Sequence, residues 1–344
     1  MTRGIIVAEP ELFDPAHLPH RLKGRESQVE ELLRCLAPSA CGQRPMHVWV
    51  HGRTGTGKTS AVRSALAKHS ACCRVPCVYV NCLRARTAYA VLDSILTDLR
   101  ILLAETPQVL YKARRLAEAL AGRPLVVALD EIDRQEEGER HSILHILTEM
   151  AGVGLVCVSE SQETMLALQP SILNRLSPVI VEMHPYDTGL LSEILADRCE
   201  SGLVSGTWCA QLVQRVAAMA SGDARVAIQT LRSAAYTADC EATGFIRDEH
   251  IRAGFEKAQA IRRGYLLRKL TAHHRILYEI VLAKKKVTLG HLSQAYRERC
   301  AAEILQPVSQ RSLLRYTDAL KRLRLVRGEK ARVFGNVTTL EAVE

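Results

Sequence analysis

The chain has 344 residues, 47% hydrophobic, 4% aromatic and 24% charged, with a formal net charge of +9. This length suits two or three domains with cores of their own, and the apolar content excludes a largely disordered chain. No run approaches twenty apolar residues, and the start MTRGIIVAEPELFD carries acids and a proline where a secretory signal would be apolar, so an intracellular protein without a membrane span is expected.

In chain order, FDPAHLPHRLKG reads as an extended arm, followed by a helix in which Val29, Leu32, Leu33 and Leu36 recur at helical spacing until Pro38. MHVWVHG reads as a buried strand, followed by a glycine-rich loop and the helical stretch TSAVRSALAKH. VPCVYVNC is a second strand. Helical patterns cover residues 87–103 and 109–121. RPLVVALDEID is a third buried strand ending in acids; HSILHILTEMAG is a helix and GLVCVSES a fourth strand. Continuous apolar strands alternating with helices predict a parallel sheet covered on both faces. After Pro185 the pattern is almost wholly helical to about Ala260, and a basic tail begins at Arg262.

Residues 52–59, GRTGTGKT, match G-x-x-x-x-G-K-[ST] between a strand and a helix. Gly52, Gly55 and Gly57 let backbone N–H groups approach phosphates, with Arg53, Thr54 and Thr56 completing the cradle. Lys58 is suited to the β- and γ-phosphates and the Thr59 hydroxyl to Mg²⁺, with the following helix adding its N-terminal dipole. In LVVALDEID, Asp130 ends a buried strand where a carboxylate holds a metal through water, and Glu131 is placed to act as general base on an attacking water. Asp133 serves either a helix start or the outer shell of the metal.

Eleven cysteines, an odd number, point to free thiols. Cys72, Cys73, Cys77 and Cys82 lack the paired spacing of common zinc modules, so structural thiols are expected there.

The charge is concentrated. Residues 262–344 hold 18 Lys+Arg against 7 Asp+Glu, a net of +11, leaving residues 1–261 at 28 against 30, a net of −2. Such asymmetry suits a polyanion-binding module on a nearly neutral body. LLRKLTAHHRILYEIVL and KKKVTLGHLSQAYRERC predict two helices with a short extended piece between them. PVSQRSLLRYTDALKRLRLV predicts a third helix, and RGEKARVFGNVTTLEAV a glycine-marked hairpin. Three helices and a wing make a winged helix, whose third helix enters the major groove. At about 100° per residue, Arg311, Arg315 and Arg322 share one face, opposite Leu313, Tyr316, Leu320 and Leu323. Lys330 and Arg332 fall on the wing. The scarcity of aromatics favours duplex over single-stranded DNA.

With these residues in hand, the chain resembles the AAA+ ATPases and, more narrowly, the archaeal and eukaryotic replication initiators of the Orc/Cdc family. The resemblance runs from about Phe13 to Glu341 and rests on LPHRLKGRESQVEELLRCL, GRTGTGKT, YVNC, ALDEID, SILNRLSPVIVEMHPYDTGLLSEILADR and SGDARVAIQTLRSAA. It implies three domains: an α/β AAA+ nucleotide-binding domain over residues 1–185, a helical lid over 186–261 and a winged-helix DNA-binding domain over 262–344. It also implies a sensor-2 role for Arg225, an arginine-finger role for Arg175, and nucleotide-pocket positions for Tyr186 and Arg198. ATP or ADP with Mg²⁺, origin duplex DNA, the replicative helicase and other initiator subunits are the implied ligands and partners. The implied setting is the cytoplasm and nucleoid of a prokaryote, or the nucleus of a eukaryote.

Two departures stand out. Related initiators usually carry a polar residue, often Asn, after the fourth strand, where this chain has Ser159 and Glu160. Either Ser159 takes that role, or a carboxylate faces the terminal phosphate and hydrolysis is slow. The segment between YVNC and ALDEID lacks the expected glycine-centred turn. Its Arg84, Arg86, Lys112, Arg114 and Arg115 leave a DNA contact and a solvated helix face equally open. A DNA-binding transcriptional regulator with an ATP switch and a clamp-loader-like scaffold are the rival readings.

Overall fold

The computed structural model describes residues 6–14, 17–19, 21–101, 108–323, 325–332 and 336–342. The chain divides into two compact units, Met1–Ala258 and Gln259–Glu344.

The first unit is built on five parallel strands, β1 (Val48–His51), β2 (Cys77–Asn81), β3 (Leu125–Asp130), β4 (Val153–Ser159) and β5 (Val179–Glu182), in the order β2-β3-β4-β1-β5. Its helices are α1 (Glu26–Leu36), α2 (Lys58–Cys73), α3 (Ala88–Asp98), α4 (Val109–Leu120), α5 (Glu137–Glu149), α6 (Glu163–Leu166) and α7 (Pro170–Leu176). Side chains along a strand point alternately to its two faces. Val48, Val50, Val126, Ala128, Val156 and Val158 therefore pack with Leu32 of α1 and Val62 of α2. Trp49, Val127, Leu129, Leu155 and Cys157 pack on the other side, with Leu92 of α3, Leu116 of α4 and Leu144 of α5. Both faces are covered, which is why these strands read as continuous apolar runs.

The fifth strand has no counterpart among the expected elements. Four residues at a sheet edge, two of them exposed and one half-buried, give too short and mixed a pattern to stand out inside SPVIVEMHP.

A helical layer follows: α8 (Thr188–Gly202), α9 (Ala210–Ala220), α10 (Ala224–Cys240) and the start of α11 (Asp248–Lys269). Asp187 caps α8 by accepting from the Leu190 N–H at 2.8 Å. The core of this layer, around Leu191, Leu195, Val216, Ala227 and Leu231, also takes in Ile6, Val7 and Phe13 from the beginning of the chain.

The second unit holds α12 (Ala272–Lys284), β6 (Lys286–Thr288), α13 (Leu289–Ala302), α14 (Gln310–Arg322), β7 (Val326–Arg332) and β8 (Asn336–Ala342), with an antiparallel sheet in the order β6-β8-β7. Leu277, Val281, Leu292, Tyr296, Leu313, Leu320 and Leu340 form its core. Three helices with a β7–β8 hairpin make a winged helix. No helix among the described residues is long and apolar enough to cross a membrane.

Candidate nucleotide site and basic recognition helix

The phosphate loop joins β1 to α2. Gly57, at φ +85°, occupies the N-cap of α2 and has no side chain with which to cap it, so the first N–H groups of α2 face the loop. A Cβ on Gly57 would stand 2.6 Å from the Tyr186 hydroxyl. Within the loop, the Thr56 hydroxyl donates to the Arg53 carbonyl at 2.8 Å, and the Lys58 ammonium donates to the carbonyls of Gly52 (2.5 Å) and Arg53 (2.9 Å). The Arg53 side chain is exposed.

The acid strand meets the loop. The buried Asp130 carboxylate accepts from the Thr59 hydroxyl at 2.7 Å and from the Tyr79 hydroxyl at 2.6 Å, both at Oδ2. Burial, with the Asp130 charge beside it, pushes the Tyr79 hydroxyl well above its ordinary range, so it stays a donor. The other oxygen of Asp130 accepts from the Glu131 N–H at 2.9 Å. Glu131 itself sits in the left-handed region, φ +54°, an unusual conformation for glutamate that costs about 1 kcal/mol or more and turns its side chain out of the strand's alternation. The Thr59 hydroxyl and the Asp130 carboxylate are hard oxygen donors of the kind Mg²⁺ takes.

Strand β4 lies between β1 and β3, so its end opens between the loop and the acids. The buried Ser159 is committed elsewhere: its hydroxyl accepts from the Trp49 indole N–H at 2.9 Å and donates to the Ser161 carbonyl at 2.7 Å. Glu160 reaches the loop instead, accepting from the Thr54 hydroxyl at 2.6 Å. Its second oxygen pairs with Arg134 Nη2 at 2.6 Å, and the same nitrogen stands 3.3 Å from Asp133. Burial works against the Arg134 charge, but Asp133 and Glu160 outweigh it and hold the guanidinium above its ordinary range. Of the two open alternatives, the carboxylate is the one at the loop, and it is paired.

The helical layer also touches the loop. The N–H of Ala224, first residue of α10, donates to the Gly55 carbonyl at 3.1 Å. Asp223 caps α10 through the N–H groups of Arg225 (3.0 Å) and Val226 (3.1 Å), which leaves the exposed Arg225 on the helix turn nearest the loop. Arg198 is more remote: its guanidinium donates to the Leu12 carbonyl, tying α8 to the N-terminal segment. Arg175 is 44% exposed on α7, paired with Glu149 at 2.6 Å.

Sequence reasoning missed Arg25. Only 5% exposed, it donates to the carbonyls of Thr56 (2.8 Å), Gly24 (2.9 Å) and His184 (2.5 Å) and lies 4.0 Å over the Tyr186 ring. Its one sequence signal is a cation beside a glycine just ahead of a helix.

Three of the basic residues ahead of β3 are paired with acids. Lys112 is buried, paired with Asp93 and 4.3 Å from the centre of the Tyr89 ring, while Arg114 and Arg115 both pair with Glu118 at 2.9 Å. Arg84 and Arg86 are exposed. Cys82 is buried, Cys73 and Cys77 are partly buried and Cys72 is exposed, and no group of three metal-binding side chains occurs among the described residues.

In the second unit, Ser309 caps α14. Leu313, Thr317 and Leu320 are buried, Tyr316 and Leu323 half-buried, and Arg311 and Arg315 exposed on the other side. The side chains of Arg322, Lys330 and Arg332 lie outside the described residues; their backbones belong to α14 and β7.

These features have known counterparts. Residues 21–158 match the AAA ATPase domain model, and residues 192–256 the Cdc6 AAA+ ATPase-type lid domain. An ORC1-type DNA replication protein of Pyrococcus abyssi is 30% identical over 328 residues, covering 88% of this chain and 77% of the relative. The chain belongs to the ORC1-type DNA replication protein family. A second ORC1-type relative, from Haloarcula marismortui, is 28% identical over 312 residues, covering 86% and 83% of the two chains. The ORC1-type fold is shared with the Aeropyrum pernix ORC1 protein, solved in complex with DNA (TM-score 0.78, 24% identity, 99% and 94% coverage), and with Cdc6p of Pyrobaculum aerophilum (TM-score 0.68, 21% identity, 98% and 94% coverage). The helical layer is therefore the lid of an AAA+ body.

Proposed function

We propose that this ORC1-type protein is an ATP-dependent replication initiator that binds origin duplex DNA and helps recruit or load the replicative helicase. The observation that carries the nucleotide switch is the Ala224–Gly55 hydrogen bond, which seats the lid on the phosphate loop. A change in the loop on nucleotide binding is thereby passed to the lid.

Lys58 turns from the loop carbonyls to the β- and γ-phosphates. Thr59 and Asp130 hold Mg²⁺, which supplies charge neutralisation at the phosphates when bound. Glu131 takes the proton of the attacking water. Arg225 contacts the phosphates from the lid, and Tyr186 and Arg198 shape the pocket from the same layer. Arg175 serves a neighbouring initiator subunit as an arginine finger after leaving Glu149. Hydrolysis is slow and resets the switch.

On the DNA side, Arg311 and Arg315, with Arg322 on the same helix face, meet phosphates or guanine edges in the major groove, and Lys330 and Arg332 meet the backbone from the wing. The archaeal relatives favour action in the cytoplasm, on the nucleoid. Two measurements test the reading. ATP affinity should vanish in Lys58→Ala, and a genome-wide footprint should fall at replication starts and differ between ATP and ADP. Protection at promoters alone would favour the rival transcriptional regulator.

A further inference from the structure

Strand β2 lies beside β3 at the edge of the sheet, with Tyr79 opposite Ala128 and Asn81 opposite Asp130 in the register. Residues two apart on a strand share a face, so Ala128 and Asp130 lie on the same face as Tyr79. Ala128 is small and leaves room for the longer ring beside it to reach the end of β3. The Tyr79 hydroxyl thus meets Asp130 across the two strands, at 2.6 Å. Its ring is half-buried against the core beneath α2, and the Arg63 guanidinium of α2 stands 5.7 Å from the ring centre. The proposed chemistry gives this hydroxyl no part. Burial and the Asp130 charge keep it protonated, so it neither attacks nor passes on a proton.

An ionised carboxylate offers about four lone-pair positions. On Asp130 three are taken: Oδ2 accepts from Thr59 at 2.7 Å and from Tyr79 at 2.6 Å, and Oδ1 accepts from the Glu131 N–H at 2.9 Å. One position remains, on Oδ1. The three donors differ in kind. The Glu131 N–H belongs to the turn that follows Asp130 itself, and the Thr59 hydroxyl is a cation ligand in the nucleotide reading. Tyr79 comes from the neighbouring strand and is anchored there by packing. It therefore fixes which oxygen of Asp130 stays with the loop and which is left to accept.

Resting on the nucleotide and Mg²⁺ reading above, we propose that Tyr79 is a positioning residue of the metal site, whose hydroxyl holds Oδ2 of Asp130 toward Thr59 and so presents the cation with one fixed acceptor. Without the phenolic hydroxyl, Oδ2 loses a partner and the carboxylate is free to turn about its Cβ–Cγ bond. The charge stays and its direction is lost. Supporting hydrogen bonds of this kind orient the group that serves a metal, and removing one typically costs about 10- to 100-fold in metal affinity. Tyr79 acts on the cation through Asp130, so nucleotide binding without metal is indifferent to it.

The experiment follows ATP binding to the full chain by calorimetry, over a range of Mg²⁺ concentrations and in EDTA, in the parent, in Tyr79→Phe, in Asp130→Asn and in the double variant. Phenylalanine keeps the ring and its packing and removes only the hydroxyl. In Tyr79→Phe, the Mg²⁺ concentration that gives half of the metal-dependent gain in affinity should rise about tenfold, with Kd in EDTA within about twofold of the parent's. In the Asp130→Asn background, adding Tyr79→Phe should alter Kd by less than about twofold at any Mg²⁺ concentration. An unchanged Mg²⁺ midpoint in Tyr79→Phe overturns the positioning role and leaves the nucleotide and metal readings intact. So does an equal loss of affinity in EDTA, or an equal loss on top of Asp130→Asn, since a tyrosine that merely supports the fold weakens every background alike. A parent that binds no ATP, or binds it without regard to Mg²⁺, overturns the reading above and the role of Tyr79 with it.

Discussion

The Gly55 carbonyl accepts a hydrogen bond from the N–H of Ala224, 3.1 Å away, and so joins the phosphate loop to the first turn of the lid helix α10. The approach is close because Gly55 has no side chain: a Cβ there would stand 1.9 Å from Asp223 Oδ1, and φ is +80°. Gly55→Ala should therefore push the lid cap off the loop. A loss of about 1–3 kcal/mol in stability is expected by urea unfolding, with a larger proportional loss of ATP affinity. A variant matching the parent in both would contradict the coupling.

Asp130 serves Thr59 and Tyr79 through one oxygen. Asp130→Asn keeps an acceptor but removes the charge a divalent cation needs. Mg·ATP affinity should fall at least about tenfold, to the level the parent shows in EDTA. If EDTA leaves ATP binding to the parent unchanged, the metal assignment is wrong.

Arg311 and Arg315 project from α14 away from its buried Leu313, Thr317 and Leu320. Replacing both with alanine should weaken duplex binding across sequences. The slope of log K against log salt should fall by about 2, since each phosphate that is no longer neutralised removes about 0.9. An unaltered slope would take the recognition role away from this face.

Stability should also depend on pH through His47. This residue is buried, and its Nδ1 accepts from the Leu155 N–H at 3.0 Å. Burial, and then the Arg44 charge, lowers its pKa from 6.5 to about 4. The folded chain holds the imidazole neutral where the unfolded chain takes up a proton. Its contribution is complete above pH 6.5 and is lost as the pH falls toward 4. Unfolding free energy should drop by ~2 kcal/mol from this group between about pH 7.5 and 5. His47→Asn should flatten that part of the profile, and an identical slope in both proteins would refute the assignment.

Residues that act through their neighbours in the chain were legible. The phosphate loop occupies eight consecutive residues, β3 ends in its own acids, and the face of α14 follows from helical spacing alone. Residues that act across the chain were not. Arg25 finds its carbonyl partners 31 and 159 positions away. Whether Ser159 or Glu160 met the loop depended on Trp49, which claims the serine hydroxyl from β1, and on Arg134, which makes a carboxylate tolerable there. Lys112 read as a surface cation because nothing in sequence shows that Asp93 and Tyr89 enclose it. The edge strand β5 was too short to announce itself.

The burial of Ile6, Val7 and Phe13 in the lid has a mechanical consequence. The polypeptide crosses between the lid and the sheet body twice, once ahead of α1 and once between Met183, packed on the sheet, and Tyr186, packed in the lid. A part tethered at one point can swivel in any direction; a part tethered at two turns about the line that joins them. Arg25 pins the two crossings together by donating to the His184 carbonyl. The lid is thus joined to the sheet body by two stretches of chain held side by side rather than by one.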